Sequence, residues 1–320
     1  MNQHRITPLT ESGLLAAITV VLALAAVYLP VVGMIAALIW ALPIVILVVR
    51  HGWRWGIMAV FVAGIIMALV IEPMVSLRMV LSFAPTGLVL GLGFRKAWSG
   101  AKTFGLALLA SLAGKISALA LLFAVTAINP LTSQMDVLKE AFTTSLEVYA
   151  DMGVDAAALQ QSQAEITQAM SMLALLLPLV VMMMGLVDTV IGYMVSSRVL
   201  RRLGHSVREF PPFGEWRLPK FFLYLFGFAL VGLYWGGTRH IDLLYQAALN
   251  ANMLAIFAGL VQGLALAHCI MRHFKLNVLV RIIIYIMIVM NGFLAQLVAM
   301  TGLIDMIFDY RRRFAARLRK

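Results

Sequence analysis

Residues 103–127 read TFGLALLASLAGKISALALLFAVTA, twenty-five residues with a single charge, Lys115, near the middle. A run of about 20 apolar residues is what an α-helix needs to cross a bilayer core of roughly 30 Å. In lipid the backbone must satisfy its own hydrogen bonds, so a continuous apolar run of this kind means a helix. A barrel strand would alternate apolar and polar residues, and this stretch does not. Several other windows along the chain share the pattern, and they decide the fold class: an all-α polytopic membrane protein.

Composition agrees. The chain has 320 residues, of which 62% are hydrophobic and 12% charged. Its mean hydropathy is +0.96. A soluble domain carries about twice that charged fraction. The formal net charge of +11 would suggest nucleic acid in a soluble protein. Here the bases sit in short loops and the C-terminal tail, as the positive-inside rule expects, so no nucleic-acid partner is inferred. Cys269 is the only cysteine and lies in an apolar run, so neither an internal disulfide nor a metal cluster is expected. Leu14–Leu22 imitates a signal-peptide core, but its flank has one base, Arg5, offset by Glu11, so it reads as the first retained helix.

Working outward, the spans fall at about Gly13–Leu29, Met34–Val49, Gly56–Ile71, Met74–Phe94, Thr103–Ala127 and Ala169–Val195. Basic connections at Arg50–Arg54, Arg95–Lys102 and Arg198–Lys220 mark the cytoplasmic side. That places the N-terminus in the cytoplasm and the protein in a bacterial inner membrane. Pro85, Gly87, Gly91 and Gly93 in the fourth span predict a kink or close packing.

Between the fifth and sixth spans, residues 129–167 carry Asp136, Glu140, Glu147, Asp151, Asp155 and Glu165 against Lys139 alone, a net charge of −5. This segment belongs outside. Met135, Leu138, Phe142, Leu146 and Tyr149 recur at helical spacing and form an apolar stripe. Thr132 or Ser133 could cap that helix, and Gly153 could stop it. An amphipathic helix here is expected to lie on the membrane or to cover an opening in the bundle, as a lid.

The domain reading is therefore a six-helix core over 1–200 with the acidic lid at 129–167. A basic, proline- and aromatic-rich cytoplasmic joint follows at 201–219, then a C-terminal transmembrane unit with a basic tail at 220–320. In that unit, Lys220–Trp235 and Ala247–Met271 are spans. Gly232/Gly236 and Gly259/Gly263 are suited to tight helix contact. Val278–Leu303 poses a conflict. A single ninth span would put the basic tail outside, against the charge rule. A break at Asn291-Gly292 would return it to the cytoplasm. Eight spans plus a broken hairpin and nine full spans both remain open.

Ionisable groups inside a membrane are costly and therefore informative. Lys115 and Asp188 lie roughly 18 and 14 Å from the cytoplasmic ends of their helices at about 1.5 Å per residue. A lysine could bridge that gap. The two either line a solute cavity or form a structural ion pair. Glu72 and Arg78 flank Pro73 near the outer face, and could hold a ligand or anchor the turn. Asn250 and Asn252 could bond a solute or a neighbouring helix. Asp305 and Asp309 are expected to pair with nearby arginines. No Walker loop, zincin helix, nucleophile elbow or Cys/His cluster is present, so neither a cofactor nor an enzymatic activity is expected.

Four short motifs carry a family resemblance. They are the helix start Glu11-Ser12-Gly13-Leu14-Leu15-Ala16-Ala17, the joint Phe210–Pro219 ending Trp216-Arg217-Leu218-Pro219, Asn250/Asn252 followed by Gln262-Gly263-Leu264-Ala265, and the end Gly302-Leu303-Ile304-Asp305-Met306 with Asp309-Tyr310-Arg311. With them the chain resembles the YybS-like family of bacterial membrane proteins, a resemblance that supplies no catalytic residue. In architecture, Gly13–Ser197 also resembles the substrate-binding S-components of energy-coupling-factor vitamin transporters. That likeness implies a docking face on Gly13, Ala16, Ala17 and Ala23 for a coupling or energising membrane subunit. The long acidic segment and the added C-terminal helices depart from that pattern. The function expected is binding or transport of a small solute. The alternative is a non-transport scaffold or regulator that recruits cytoplasmic partners through its basic loops.

Overall fold

The computed structural model describes residues 8–127, 129–208 and 211–311, without the side chains of residues 130–132, 134 and 156. The capping role expected of Thr132, Phe210 of the joint and the basic tail beyond Arg311 lie outside these. Among the described residues the regular structure is all helical, as the apolar runs require. Eight helices are long and apolar enough to cross a membrane, and a ninth span is reached only if one bent pair is counted as one. The chain divides into two compact units, one of Met1–Met170 with Val180–Phe210, the other of Ser171–Leu179 with Pro211–Lys320.

The first unit begins with α1 (Pro8–Tyr28), α2 (Pro30–Ile39), α3 (Leu42–His51), α4 (Trp53–Val70), α5 (Pro73–Arg95) and α6 (Gly100–Thr126). Proline opens several of them, where its missing N–H and fixed φ cost nothing. Pro30 is one such case, at the start of α2. The second span is broken at Trp40-Ala41. Pro43, in the first turn of α3, has no N–H to donate back to that break, and the Trp40 side chain is fully buried beside it.

Small residues set the packing. Ala16, Ala23, Ala59, Ala63 and Ala84 lie in one core cluster with Trp40, Ile44, Leu47, Val48 and Met67. A Cβ on Gly91 would lie 2.6 Å from that of Val48, and one on Gly114 would strike the Leu81 carbonyl, with Pro85 Cγ at 3.3 Å. The glycines and proline of α5 thus serve close packing against α3 and α6. Without a hydrophobic drive between helices in lipid, such backbone approach is the main source of association.

The acidic segment forms α7 (Pro130–Asp151) and α8 (Ala156–Leu175). Gly153 lies between them with φ of +85°, a left-handed turn that suits glycine. No described residue of either helix is buried. Leu138, Phe142 and Tyr149 of the apolar stripe are all exposed. The stripe is helical as expected, and Met135 and Leu146 on it are half-buried.

α9 (Leu177–Arg202) supplies Tyr193 and Leu200 to a second cluster with Val45, Leu90, Phe94 and Ala107. Tyr193 is fully buried, meets Phe94 edge-on at 5.0 Å and donates its hydroxyl to the Arg208 carbonyl at 3.0 Å.

The second unit holds a one-turn 3₁₀ helix at Phe213–Glu215, then α10 (Phe221–Thr238), α11 (Asp242–His273), α12 (Val278–Met290) and α13 (Gly292–Phe308). Both glycine pairs serve helix contact. A Cβ on Gly236 would lie 2.7 Å from the Tyr245 N, and one on Gly259 2.5 Å from the Ala299 carbonyl. α12 and α13 meet at 101°. Asn291 makes the corner, its side chain accepting from the Leu294 N–H at 3.0 Å. The carboxamide thus caps α13.

Both arms of this V close on the end of the unit that carries the joint. α12 starts just after α11 ends, and Tyr285 Oη lies 2.6 Å from His268 Nδ1 on α11. At the far end of α13, Arg217 donates to Asp309 at 2.8 Å, and Arg311 donates to the Gly214 carbonyl at 2.6 Å. A single straight helix over Val278–Phe308 would not return to the joint in this way.

Candidate functional site

α6 and α9 bring Lys115 and Asp188 together. Lys115 Nζ lies 3.0 Å from Asp188 Oδ2, and Ser111 completes the cluster, donating to Asp188 Oδ2 at 3.1 Å and accepting from Lys115 Nζ at 3.1 Å. Ser111 and Lys115 are four apart, so one helix face presents both. Lys115 is 8% exposed, Asp188 5% and Ser111 0%. These figures decide how the charges exist at all, because an ion this far from water persists only when paired and hydrogen-bonded.

The surroundings are tuned to the pair. Lys115 Nζ sits 5.0 Å above the Phe83 ring, where the ring's negative face attracts an ammonium. On α9, Gly185 lets α6 approach closely, for a Cβ there would lie 2.7 Å from Leu112 Cδ2. Thr189, one residue beyond Asp188, turns its hydroxyl back to the Gly185 carbonyl at 2.8 Å. The cluster can hold a zwitterionic or polar group by exchange of partners, or it can lock two helices.

The other expected positions fall elsewhere. Glu72 and Arg78 are both exposed and form no ion pair with each other. Six residues on a helix start put them on different faces, which spacing alone had left open. Asn250 is engaged structurally. Its Oδ1 accepts from the Leu179 N–H at 2.9 Å, and its Nδ2 donates to the carbonyls of Leu175 at 2.8 Å and Gln246 at 2.7 Å. The break between α8 and α9 leaves the Leu179 N–H and the Leu175 carbonyl without helical partners, and Asn250 bonds both. Asn252 is half-buried.

The four docking residues divide. Ala16 and Ala23 are buried in the α1 core contact, whereas Gly13 and Ala17 are exposed. Positions 13 and 17 share one helix face and 16 and 23 another, so the four do not make a single surface.

Two clusters escape sequence reading. Glu11, 6% exposed, pairs with Arg50 and with His51 Nε2, the latter at 2.6 Å. About forty residues separate the partners, and nothing in the spacing joins them. In the second unit Gln262 donates to Asp305 Oδ2 at 2.7 Å and accepts from the Leu218 N–H at 3.0 Å. Asp305 Oδ1 accepts from the Tyr310 N–H at 2.9 Å, and Arg311 lies 3.7 Å from Asp305. The expected pairing of Asp305 and Asp309 with arginines holds, but one of those arginines, Arg217, comes from the joint. Among the described residues no group of three or more His, Cys, Asp or Glu could hold a metal ion.

Eight membrane-crossing helices, a broken hairpin and ion pairs buried among apolar helices define a multi-pass helical membrane protein. The chain belongs to the DUF2232 family, whose model, described as a predicted membrane protein, matches residues 17–306. It is similar to the uncharacterized protein YybS of Bacillus subtilis (strain 168), with 23% identity over 276 residues, covering 83% of this chain and 84% of that one. No solved structure matches the chain.

Proposed function

We propose that this protein binds a small solute for transport across a bacterial inner membrane, with Lys115, Asp188 and Ser111 as its recognition centre. One observation carries the reading: two opposite charges and a hydroxyl converge halfway along membrane helices. Intramembrane ion pairs mark substrate or proton paths more often than other positions do. The first unit's six spans are compatible with an S-component-like role. In that role Gly13 and Ala17, exposed on α1, would face a coupling subunit. Energy would come from that partner or from an ion gradient, since the chain has no nucleotide-binding motif. The reading assigns no catalytic step. The positive-inside rule orients Arg50, Arg95 and Arg198 to the cytoplasm and the N-terminus with them.

A second reading has its own support. The pair is mutually satisfied and buried, as a purely structural lock would be. In that case the protein is a scaffold that recruits cytoplasmic partners through its basic loops. Thermal melting of the purified protein against a panel of vitamins and polar metabolites separates the two. Solute binding raises the melting temperature with at least one compound, because a ligand that binds only the folded state stabilises it by mass action. A flat response across the panel supports the scaffold.

A further inference from the structure

A cleft of about 240 Å³ opens where the start of α4 meets the end of α5. Its rim carries Arg54, Arg95 and Lys96, and its walls include the indoles of Trp53 and Trp55. No acid lines it. Glu11, which bonds the lining residue His51, is already engaged by that ring and by Arg50. Among the described residues none of the three rim cations has an ion-pair partner.

The cleft is built rather than incidental. Gly52 has φ of +103°, and a Cβ there would lie 3.0 Å from Arg95 Nη1. Glycine therefore lets the Arg95 guanidinium lie flat on the α3–α4 turn. Arg95 Nη1 donates to the Val48 carbonyl at 3.2 Å, which fixes the group while leaving its other N–H donors free. A planar guanidinium held in place is suited to bidentate recognition of phosphate. Trp53 is half exposed, with its ring at the edge of the apolar helices. Indoles at that level prefer the headgroup layer.

We infer that this cleft binds a phosphate ester at the membrane interface, with Arg54, Arg95 and Lys96 holding the phosphate and the two tryptophans flanking it. The apolar walls fit the first carbons of the acyl chains of an anionic phospholipid, and a free phosphate has the same charged group. The site stands on residues other than Lys115 and Asp188, so it survives or fails independently of the solute reading.

The test uses the full-length protein. Wild type and Arg54→Gln/Lys96→Gln are placed in phosphatidylcholine bilayers with a minor share of phosphatidylglycerol, and lipid retained on release is counted by native mass spectrometry. Both side chains are exposed, and melting temperature reports that the fold is kept. Arg201→Gln/Arg202→Gln removes two bases from the end of α9 as the control. The inference expects phosphatidylglycerol retention to fall about tenfold in the cleft variant, since each base near an anionic surface counts strongly. The control should change little. A separate arm adds inorganic phosphate to wild type in phosphatidylcholine alone. Stabilisation that the cleft variant loses would assign the site to free phosphate and leave the inference standing. Equal loss of phosphatidylglycerol in both double variants, or no loss in either together with no response to phosphate, overturns it.

Discussion

Arg217 Nη1 donates to Asp309 Oδ2 at 2.8 Å, although 92 residues separate them. This contact brings the end of α13 to the joint that precedes α10. With the 101° corner at Asn291, it bends α12 and α13 back toward the joint. A broken hairpin and a ninth full span give different addresses for the tail. With the N-terminus inside, the hairpin predicts that a reporter fused after Lys320 stays cytoplasmic: fluorescent with green fluorescent protein, inactive with alkaline phosphatase. An active phosphatase fusion there would mean a ninth full span.

Lys115 and Asp188 neutralise each other in a setting where one charge alone has no refuge. Lys115→Met or Asp188→Leu singly should destabilise by about 3–5 kcal/mol, because each leaves the partner buried and unpaired. The double variant Lys115→Met/Asp188→Leu should recover most of that loss. Denaturation of the four proteins in one detergent gives the coupling energy. Additive single effects would mean that the two groups do not act as a pair.

The α11–α13 contact leaves no room for side chains. A Cβ on Gly302 would strike the Gly259 carbonyl and come within 2.5 Å of the Gly263 N. Backbone atoms cannot move aside as a flexible side chain would. Gly302→Val should cost at least about 1–3 kcal/mol through overpacking, read as a lowered melting temperature. The control Gly237→Val, at a position with nothing within 4 Å, should be near neutral.

Asn250 holds the break at Leu176 by two hydrogen bonds, from the Leu179 N–H and to the Leu175 carbonyl. Asn250→Ala removes both and leaves the Leu179 N–H short of a partner, at a cost of about 1–3 kcal/mol. Asn252→Ala, two residues along, should cost less. Hydrogen exchange at the α8–α9 junction should rise in the first variant alone. Equal exchange in both would place the stabilisation elsewhere.

The spans were legible because apolar length and helix-starting prolines are local signals. Pro73 and the Asn291-Gly292 corner are cases where composition marked the boundary. Lys115 and Asp188 stood out for the same reason, a charge where lipid forbids one. Their meeting depended on α6 and α9 being neighbours, which helix spacing does not state. Glu11 with Arg50 and His51, and Gln262 with Asp305 and Leu218, escaped because each joins segments brought together only by packing. Gly13, Ala16, Ala17 and Ala23 show the opposite failure. The likeness to S-components implied one face, but the 100° turn per residue divides them between core and exterior. The stripe on α7 was legible as a helix face, whereas what covers it is a tertiary question that periodicity does not answer.

The proposed recognition of a solute by Lys115 and Asp188 is checked by equilibrium binding of a compound that stabilises the wild type, compared with Lys115→Met/Asp188→Leu. The account predicts that the double variant melts close to wild type, since the neutral pair keeps the core filled, but binds at least about tenfold more weakly, because a buried charge contact to ligand is lost. A double variant that folds and binds the compound as tightly as wild type would contradict the claim and leave the pair as a lock between two helices.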